Sequence, residues 1–543
     1  QFVAVRDIAM VLLLRLFLFL FALFSSTVSE KPLNVFVYSI RSGYSHSNFM
    51  GHIADVLADG GMNVTLLSSI LVDDVSDGSS KAHIIHVSAD PVAFEEWNSP
   101  HDLSAIFRGS SRDLLSLFAQ PSVATVFKRQ CKHLLHQTAI IEQLTAMKFE
   151  VAVTEPFDFC GHGLAHLIGA KTTVTATSTA LSDYMSWVIG VPLPLSAVPT
   201  SYYSHVDGSL SSRFGNLVSW VANYVASIEA VRRTDEAFRE EIDPDFPSVE
   251  TLMANSSLFV TACEPLADFA RPTMRNIVDI GGLGVREPKP LAKEYDDLLS
   301  LRPRTVLLSF GSVAKSILMP AEYKRSIAQA FSRFPDVTFI WKYENPEDND
   351  HVKGVSNVIL KKWMPQSDLL GDPRVAAIIS HGGRTSLNEV AHKGKPVVMI
   401  PLFGDQVRNG AIAEHLGFGK SFDKADLDNP NAIEAVVREI LTEKSYATAA
   451  ASVAASTRSR PFSPREELVR NVQFVGRHGL VKSFEYKGSS LPLYIFWNLD
   501  LVLIFVSAVF VVTFLSFFIL KNLILAVCSS TKKPASKIKA KKH

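Results

Sequence analysis

Between Trp363 and Gln406 the chain reads WMPQSDLLGDPRVAAIISHGGRTSLNEVAHKGKPVVMIPLFGDQ. Trp363 offers a flat ring on which a base can stack, and Gln366 can hydrogen-bond that base or a ribose. His381-Gly382-Gly383 precedes a helix that begins near Arg384. A helix start presents unpaired N–H groups and partial positive charge, so a diphosphate can rest there without a metal, with His381, Thr385 and Ser386 adding donors. Glu389 lies at i+4 from Thr385 and i+3 from Ser386, which puts a carboxylate for ribose hydroxyls on the same face. Asp405-Gln406 pairs a carboxylate with an amide, a combination that binds sugar hydroxyls bidentately. Upstream, Ser312 closes the small turn Ser309-Phe310-Gly311-Ser312 and is a further phosphate donor. In this order, the residues suit a sugar carried on a nucleoside diphosphate.

The elements around them position these groups. Thr305–Leu308, Val337–Lys342, Val358–Lys361, Ala376–Ser380 and Pro396–Pro401 are short apolar runs that read as buried strands, with a helical stretch near Ala321–Ser332. Strands alternating with helices predict a mostly parallel sheet, whose ligands sit beyond the carboxyl ends of the strands. In the first half, Leu33–Ile40 reads as a strand, residues 41–48 as a loop and Phe49–Ala58 as a helix. His46 therefore tops the first strand, where an imidazole with an ordinary pKa near 6.5 can take a proton from a hydroxyl. For an isolated histidine a backbone-bonded loop role is the commoner one. Glu155 and Asp158 follow the strand Glu150–Val153, and either could fix the tautomer of such a histidine.

Trp363, Pro365, Gln366, His381, Gly382, Gly383, Glu389, Pro396, Pro401, Asp405 and Gln406 resemble the signature of the UDP-glycosyltransferase family, in particular animal UDP-glucuronosyltransferases of nematode type. The resemblance extends over nearly the whole chain. It implies an α/β, GT-B-like fold of two Rossmann-like domains with an interdomain cleft, UDP-sugar lying in the C-terminal one and uracil on Trp363. It makes His46 the catalytic base of an inverting displacement and favours Glu155 as its partner, with Asp158 in reserve. Two positions depart from vertebrate members: Glu155 stands where they carry Asp, and Thr385 where many carry Asn.

Other motifs carry less. Asp348-Asn349-Asp350 has the spacing of a manganese site but lies in a polar stretch that reads as a solvated loop. His162 and His166 have zinc-pair spacing without a third ligand, and read as a helix packed on the sheet. Gly281-Gly282-Leu283-Gly284 lacks the third glycine of a dinucleotide fingerprint and, with Pro288 and Pro290, reads as the start of an interdomain linker. Between Ser182 and Glu250 regular alternation gives way to Pro192-Leu193-Pro194, Tyr202-Tyr203 and an apolar helix around Leu217–Val231, assigned to an acceptor pocket or membrane contact.

The 543 residues carry 54 basic and 54 acidic side chains, which gives no reason to invoke nucleic acid as a partner. With only four cysteines, a disulfide framework is not expected, and Cys131, Cys160 and Cys263 read as free and buried. Residues 1–29 read as a signal peptide, with Met10–Phe24 its apolar stretch. Leu501–Leu520 is twenty residues without charge, enough at about 1.5 Å per residue to cross a bilayer core of roughly 30 Å. The basic tail from Lys521, including Lys532, Lys533, Lys537, Lys539, Lys541 and Lys542, predicts a cytosolic C-terminus under the positive-inside rule. Lys539 and Lys541 resemble a signal for return to the endoplasmic reticulum.

The expected layout is a signal peptide at 1–29, an acceptor-binding domain at 30–285, a UDP-sugar domain at 286–465, a return helix and juxtamembrane segment at 466–500, a transmembrane helix at 501–520 and a basic tail at 521–543. Asn63 and Asn255 head glycosylation sequons that a lumenal, type I placement would expose. The expected activity is transfer of glucuronate or glucose from UDP to small lipophilic hydroxyl acceptors, with no cofactor beyond the donor. A homo- or hetero-oligomer is compatible with such an anchored chain. The competing expectation is a non-catalytic anchored protein that binds UDP-sugar or lipophiles and modulates partner transferases.

Overall fold

A computed structural model of the chain describes residues 31–111, 113, 123–484 and 491–530. The proposed signal peptide, the end of the basic tail and its Lys539 and Lys541 lie outside the described residues. The chain divides into two units, 1–485 and 486–543.

The first unit is built on two parallel sheets. Strands β1 (Asn34–Arg41), β2 (Asn63–Ile70), β3 (His83–Val87), β4 (Val151–Thr154), β5 (Thr172–Thr177), β6 (Leu258–Thr261) and β7 (Ile277–Asp279) lie in the order 3-2-1-4-5-6-7. Strands β8 (Arg304–Ser309), β9 (Val337–Lys342), β10 (Val358–Lys361), β11 (Val375–Ser380), β12 (Val397–Met399) and β13 (Gly419–Ser421) follow 10-9-8-11-12-13. Each order reverses once, between β1 and β4 and between β8 and β11, whose parallel registers pair Val37 with Val153 and Ser380 with Ser309. Those reversals open the crevices where ligands bind in such folds.

The strands read as continuous apolar runs because both faces are covered. All six residues of β9 are buried, for example. Helices α1 (Tyr44–Asp59), α2 (Val123–Leu135), α3 (Cys160–Leu167) and α4 (Leu210–Glu241) serve the first sheet, and α5 (Arg384–Lys393) and α6 (Gln406–His415) the second. Helix α7 (Pro464–His478) returns to the first sheet, placing Leu468, Val472 and Val475 in one core with Val35, Val37 and Val153. Conversely, Phe107 of the first half is buried in the core of the second and meets Phe310 edge to face at 5.6 Å.

Three expectations change. Helix α1 begins at Tyr44, five residues earlier than predicted, so His46 lies in its first turn and not in a loop; extended Gly43 caps the helix, its carbonyl accepting from the Ser47 N–H at 3.3 Å. The apolar helix expected around Leu217–Val231 is the central part of the 32-residue α4. Cys131 and Cys160 are not free: they form a disulfide, because α2 packs beside the start of α3 and brings their Cα atoms to 5.8 Å. Sequence spacing could not show that proximity, since residues 29 apart meet only through the fold. Cys263 is buried and free.

The second unit holds helix α8 (Leu499–Ser530), 32 residues long and apolar enough to cross a membrane, and it contains the 501–520 segment.

Candidate functional site

At the reversal of the first sheet, His46 and Glu155 meet. The His46 Nδ1 lies 2.9 Å from Glu155 Oε1, and the same oxygen accepts the Ser178 N–H at 3.1 Å. The Ser178 hydroxyl is 3.1 Å from Nδ1. A carboxylate can only accept, so Nδ1 carries the hydrogen and Nε2 is left as the basic nitrogen. Phe157 stacks on the imidazole at 4.0 Å between centroids and fixes its plane. Burial opposes the charged imidazole, but the charge and hydrogen bond of Glu155, with Asp405 and Asp158 adding, hold His46 above its ordinary pKa. For Glu155 burial acts upward, yet His46 and the Ser178 hydrogen bonds prevail and hold it below the ordinary value.

Asp158, the reserve partner, does not reach His46. Its Oδ2 accepts the Tyr38 hydroxyl at 2.5 Å in a buried pair. Burial and the nearby Glu155 charge outweigh that bond and push the Asp158 carboxyl up to about 7. The strand-end spacing offered both carboxylates; the turn after β4 directs only Glu155 toward α1.

At the reversal of the second sheet, the turn after β8 faces the start of α5. Gly311 has φ +82, and a Cβ there would sit 2.8 Å from His381, so glycine lets the turn lie against that ring. Burial lowers His381 to about 4 against an opposing hydrogen bond with the Ser309 backbone, the Lys342 charge adding to the fall, and the ring is neutral at physiological pH. Gly382, at φ +85, and extended Gly383 lead into α5, whose first N–H groups take no side-chain cap. Such a start is open to an anion. Ser312 and Ser386 are half-buried and Thr385 exposed on the same part of the fold.

The ribose- and base-facing candidates gather beside it. Gln366 Nε2 donates to Glu389 Oε2 at 2.6 Å and approaches Ser386 Oγ at 3.3 Å. Trp363 is 57% exposed, leaving a face for stacking, and its edge contact is with Tyr44 of the first half. Asp405 Oδ2 accepts from Asn409 Nδ2 at 2.9 Å. Gln406 is buried and turned inward, its Oε1 accepting the Leu402 and Phe403 N–H groups at 2.8 and 3.2 Å. In this arrangement its amide oxygen shapes the turn that presents Asp405.

Lys342 was missed by the sequence reading. Its Nζ donates to Gly311 O at 2.7 Å, reaches Glu344 Oε1 at 3.1 Å and lies 5.9 Å from the Trp363 ring centroid. Its place as the last residue of β9, at the same sheet edge, was the available signal.

The bland readings of the other motifs fit the geometry. His162 is buried on Thr175 Oγ1 at 2.9 Å, Asp348 accepts the Tyr343 hydroxyl at 2.6 Å, and Asp350 pairs with Lys353 at 2.5 Å. Residues 281–284 form the turn after β7.

Two parallel sheets of these orders, with a histidine–carboxylate pair in one and an uncapped glycine-led helix start in the other, define a GT-B glycosyltransferase architecture. Solved structures agree in fold: the glycosyltransferase of kitacinnamycin has a TM-score of 0.56 at 16% identity, and the calicheamicin glycosyltransferase CalG4 has 0.54 at 16%, each covering 83% of this chain and all of the other. The chain belongs to the family described as UDP-glucoronosyl and UDP-glucosyl transferase, whose model matches residues 35–534. It is 32% identical over 384 residues to ugt-48 of Caenorhabditis elegans, named as a UDP-glucuronosyltransferase, covering 69% of this chain and 73% of that one. It is 28% identical over 505 residues to UDP-glucuronosyltransferase 3A1 of Xenopus laevis, covering 90% and 93%.

Proposed function

We propose that the protein transfers glucuronate or glucose from its UDP carrier to hydroxyl groups of small lipophilic acceptors, with inversion at the anomeric carbon. The observation that carries this reading is the His46–Glu155 pair at 2.9 Å, at the sheet reversal of the half that meets the donor half through Tyr44 and Trp363. His46 Nε2 takes the acceptor proton as the oxygen attacks, and Glu155 stabilises the imidazolium that forms. UDP leaves with its charge against the N–H groups of α5, while His381 and Lys342 donate to phosphate oxygens. Trp363 stacks the uracil, Gln366 and Glu389 hold the ribose, and Asp405 faces the sugar from the turn that Gln406 shapes. The reading calls on no metal or cofactor beyond the UDP-sugar.

In this reading α8 anchors the protein in the endoplasmic reticulum membrane as a single-pass type I chain, with both sheets lumenal and the products more soluble conjugates. The Cys131–Cys160 disulfide supports the oxidising side. Asn63 and Asn255 are both exposed, as sequons need to be.

The test is turnover in microsomes expressing the chain, with UDP-glucuronate and UDP-glucose in competition and phenolic acceptors. Transfer that disappears in His46→Ala supports the assignment. Unchanged turnover in that variant removes His46 from the mechanism, and saturable UDP-sugar binding without any turnover identifies a binding protein instead.

A further inference from the structure

Helix α5 has two working faces. Thr385, Ser386 and Glu389 lie toward the candidate donor site. Arg384, Asn388 and His392, spaced i, i+4, i+8, form another stripe, and all three contact one segment of the first half, residues 262–268 after β6. Asn388 Nδ2 donates to Ala262 O at 2.9 Å, His392 Nε2 lies 3.2 Å from Glu264 Oε2, and Arg384 Nη2 lies 3.1 Å from Asp268 Oδ2. Asp268 reaches further: its Oδ1 is 2.6 Å from Arg408 Nη2 in the first turn of α6. The Arg408 Nε in turn donates to Pro199 O of the first half at 3.3 Å. The side chains of Asp268, Arg384 and Arg408 are each 3–4% exposed.

One carboxylate of the acceptor half thus holds the starts of both helices that follow the donor-facing loops. Burial raises the cost of its charge, but the two guanidinium groups overcome that and keep Asp268 ionised well below the ordinary carboxylate range. No nitrogen of the Arg384 guanidinium makes a hydrogen bond, so its contact with Asp268 is an ion pair and Asp268 is its counter-charge in the structure.

We infer that Asp268 is a positioning residue that aligns the UDP-sugar site with His46 by gripping Arg384 and Arg408 together. The inference rests on the proposed transfer reaction. The side-chain partners of Asp268 are Arg384, Arg408 and Cys263, none of them a side chain assigned to the nucleotide, so its removal is expected to act on the alignment of the halves.

The experiment compares the full-length chain with Asp268→Asn, measuring kcat for transfer at saturating UDP-sugar and Kd for UDP alone. The expected result is a fall in kcat of at least tenfold with UDP Kd within threefold of the starting protein. Arg384→Lys and Arg408→Lys, each keeping a charge but losing the planar fork, provide milder variants if Asp268→Asn does not fold. Each is expected to lower kcat about threefold, again with UDP Kd retained. An unchanged kcat, or UDP affinity lost in proportion to kcat, overturns the inference, the latter marking a purely structural role. Absence of turnover in the unsubstituted chain would instead overturn the proposed reaction.

Discussion

Tyr44 and Trp363 meet edge to face, with ring centroids 5.9 Å apart, across the line where the two halves join. Tyr44 opens the helix that carries His46, and Trp363 opens the segment that carries Gln366. Beside them a Cβ on Gly43 would come within 2.9 Å of Val313 Cγ2, just past the turn after β8. The candidate base and the candidate donor site are therefore in register through direct packing.

His46→Ala should lower kcat by about 10²–10⁴, the usual contribution of a general base, with little change in UDP affinity. Glu155→Gln keeps the size of the side chain but removes the charge that orients and stabilises the imidazolium, and should cost less than His46→Ala. Steady-state kinetics beside UDP titration checks both.

The pH profile follows from the same pair. The reactive form is neutral His46, whose pKa is held above 6.5 by Glu155, so acceptor kcat/KM should rise through a limb placed above 6.5. Glu155→Gln leaves burial as the main influence, and the limb should move to the acid side. For stability, the raised His46 value contributes fully below its unfolded pKa and is lost as pH climbs through the folded one. The lowered Glu155 value contributes above about 4.5 and is lost as pH falls through the folded one. The pair should stabilise most between those limits, and thermal unfolding across pH with and without Glu155→Gln measures it.

Gly311→Ala forces a side chain into left-handed backbone and against His381. At about 1–2 kcal/mol for the backbone alone, UDP binding should weaken roughly tenfold. Calorimetric UDP titration reads this directly.

Lys342→Met removes the cation beside Gly311 and Trp363 while keeping much of the apolar stem. Loss of a charged hydrogen-bond donor to phosphate, about 1.5–3 kcal/mol, should raise the UDP-sugar KM ten- to hundredfold.

Reduction, or Cys131→Ser, should lower stability by about 2–4 kcal/mol, read as a fall in Tm that reductant does not deepen in the variant.

The second sheet was legible as short apolar runs between turns: Val337–Lys342, buried at every residue, and Val358–Lys361, half-buried past Val358, have the predicted bounds. The glycine-led helix after β11 was legible because Gly382, at φ +85, takes a backbone that favours glycine, and a Cβ on Gly383 would lie 2.7 Å from His381 Nε2. What escaped was set by tertiary packing. Helix α1 starts at Tyr44, just after Gly43 packs against Val313, Asp158 turns to Tyr38 instead of His46, and the Cys131–Cys160 bond joins elements that only the folded sheet brings together. Lys342 ends an apolar strand, and nothing in its neighbours along the chain marks the Trp363 ring above it.

Helix α5 has no idle side. Sliding it by one turn would part Arg384, Asn388 and His392 from Asp268, Ala262 and Glu264 at once, so the helix is pinned along its whole length.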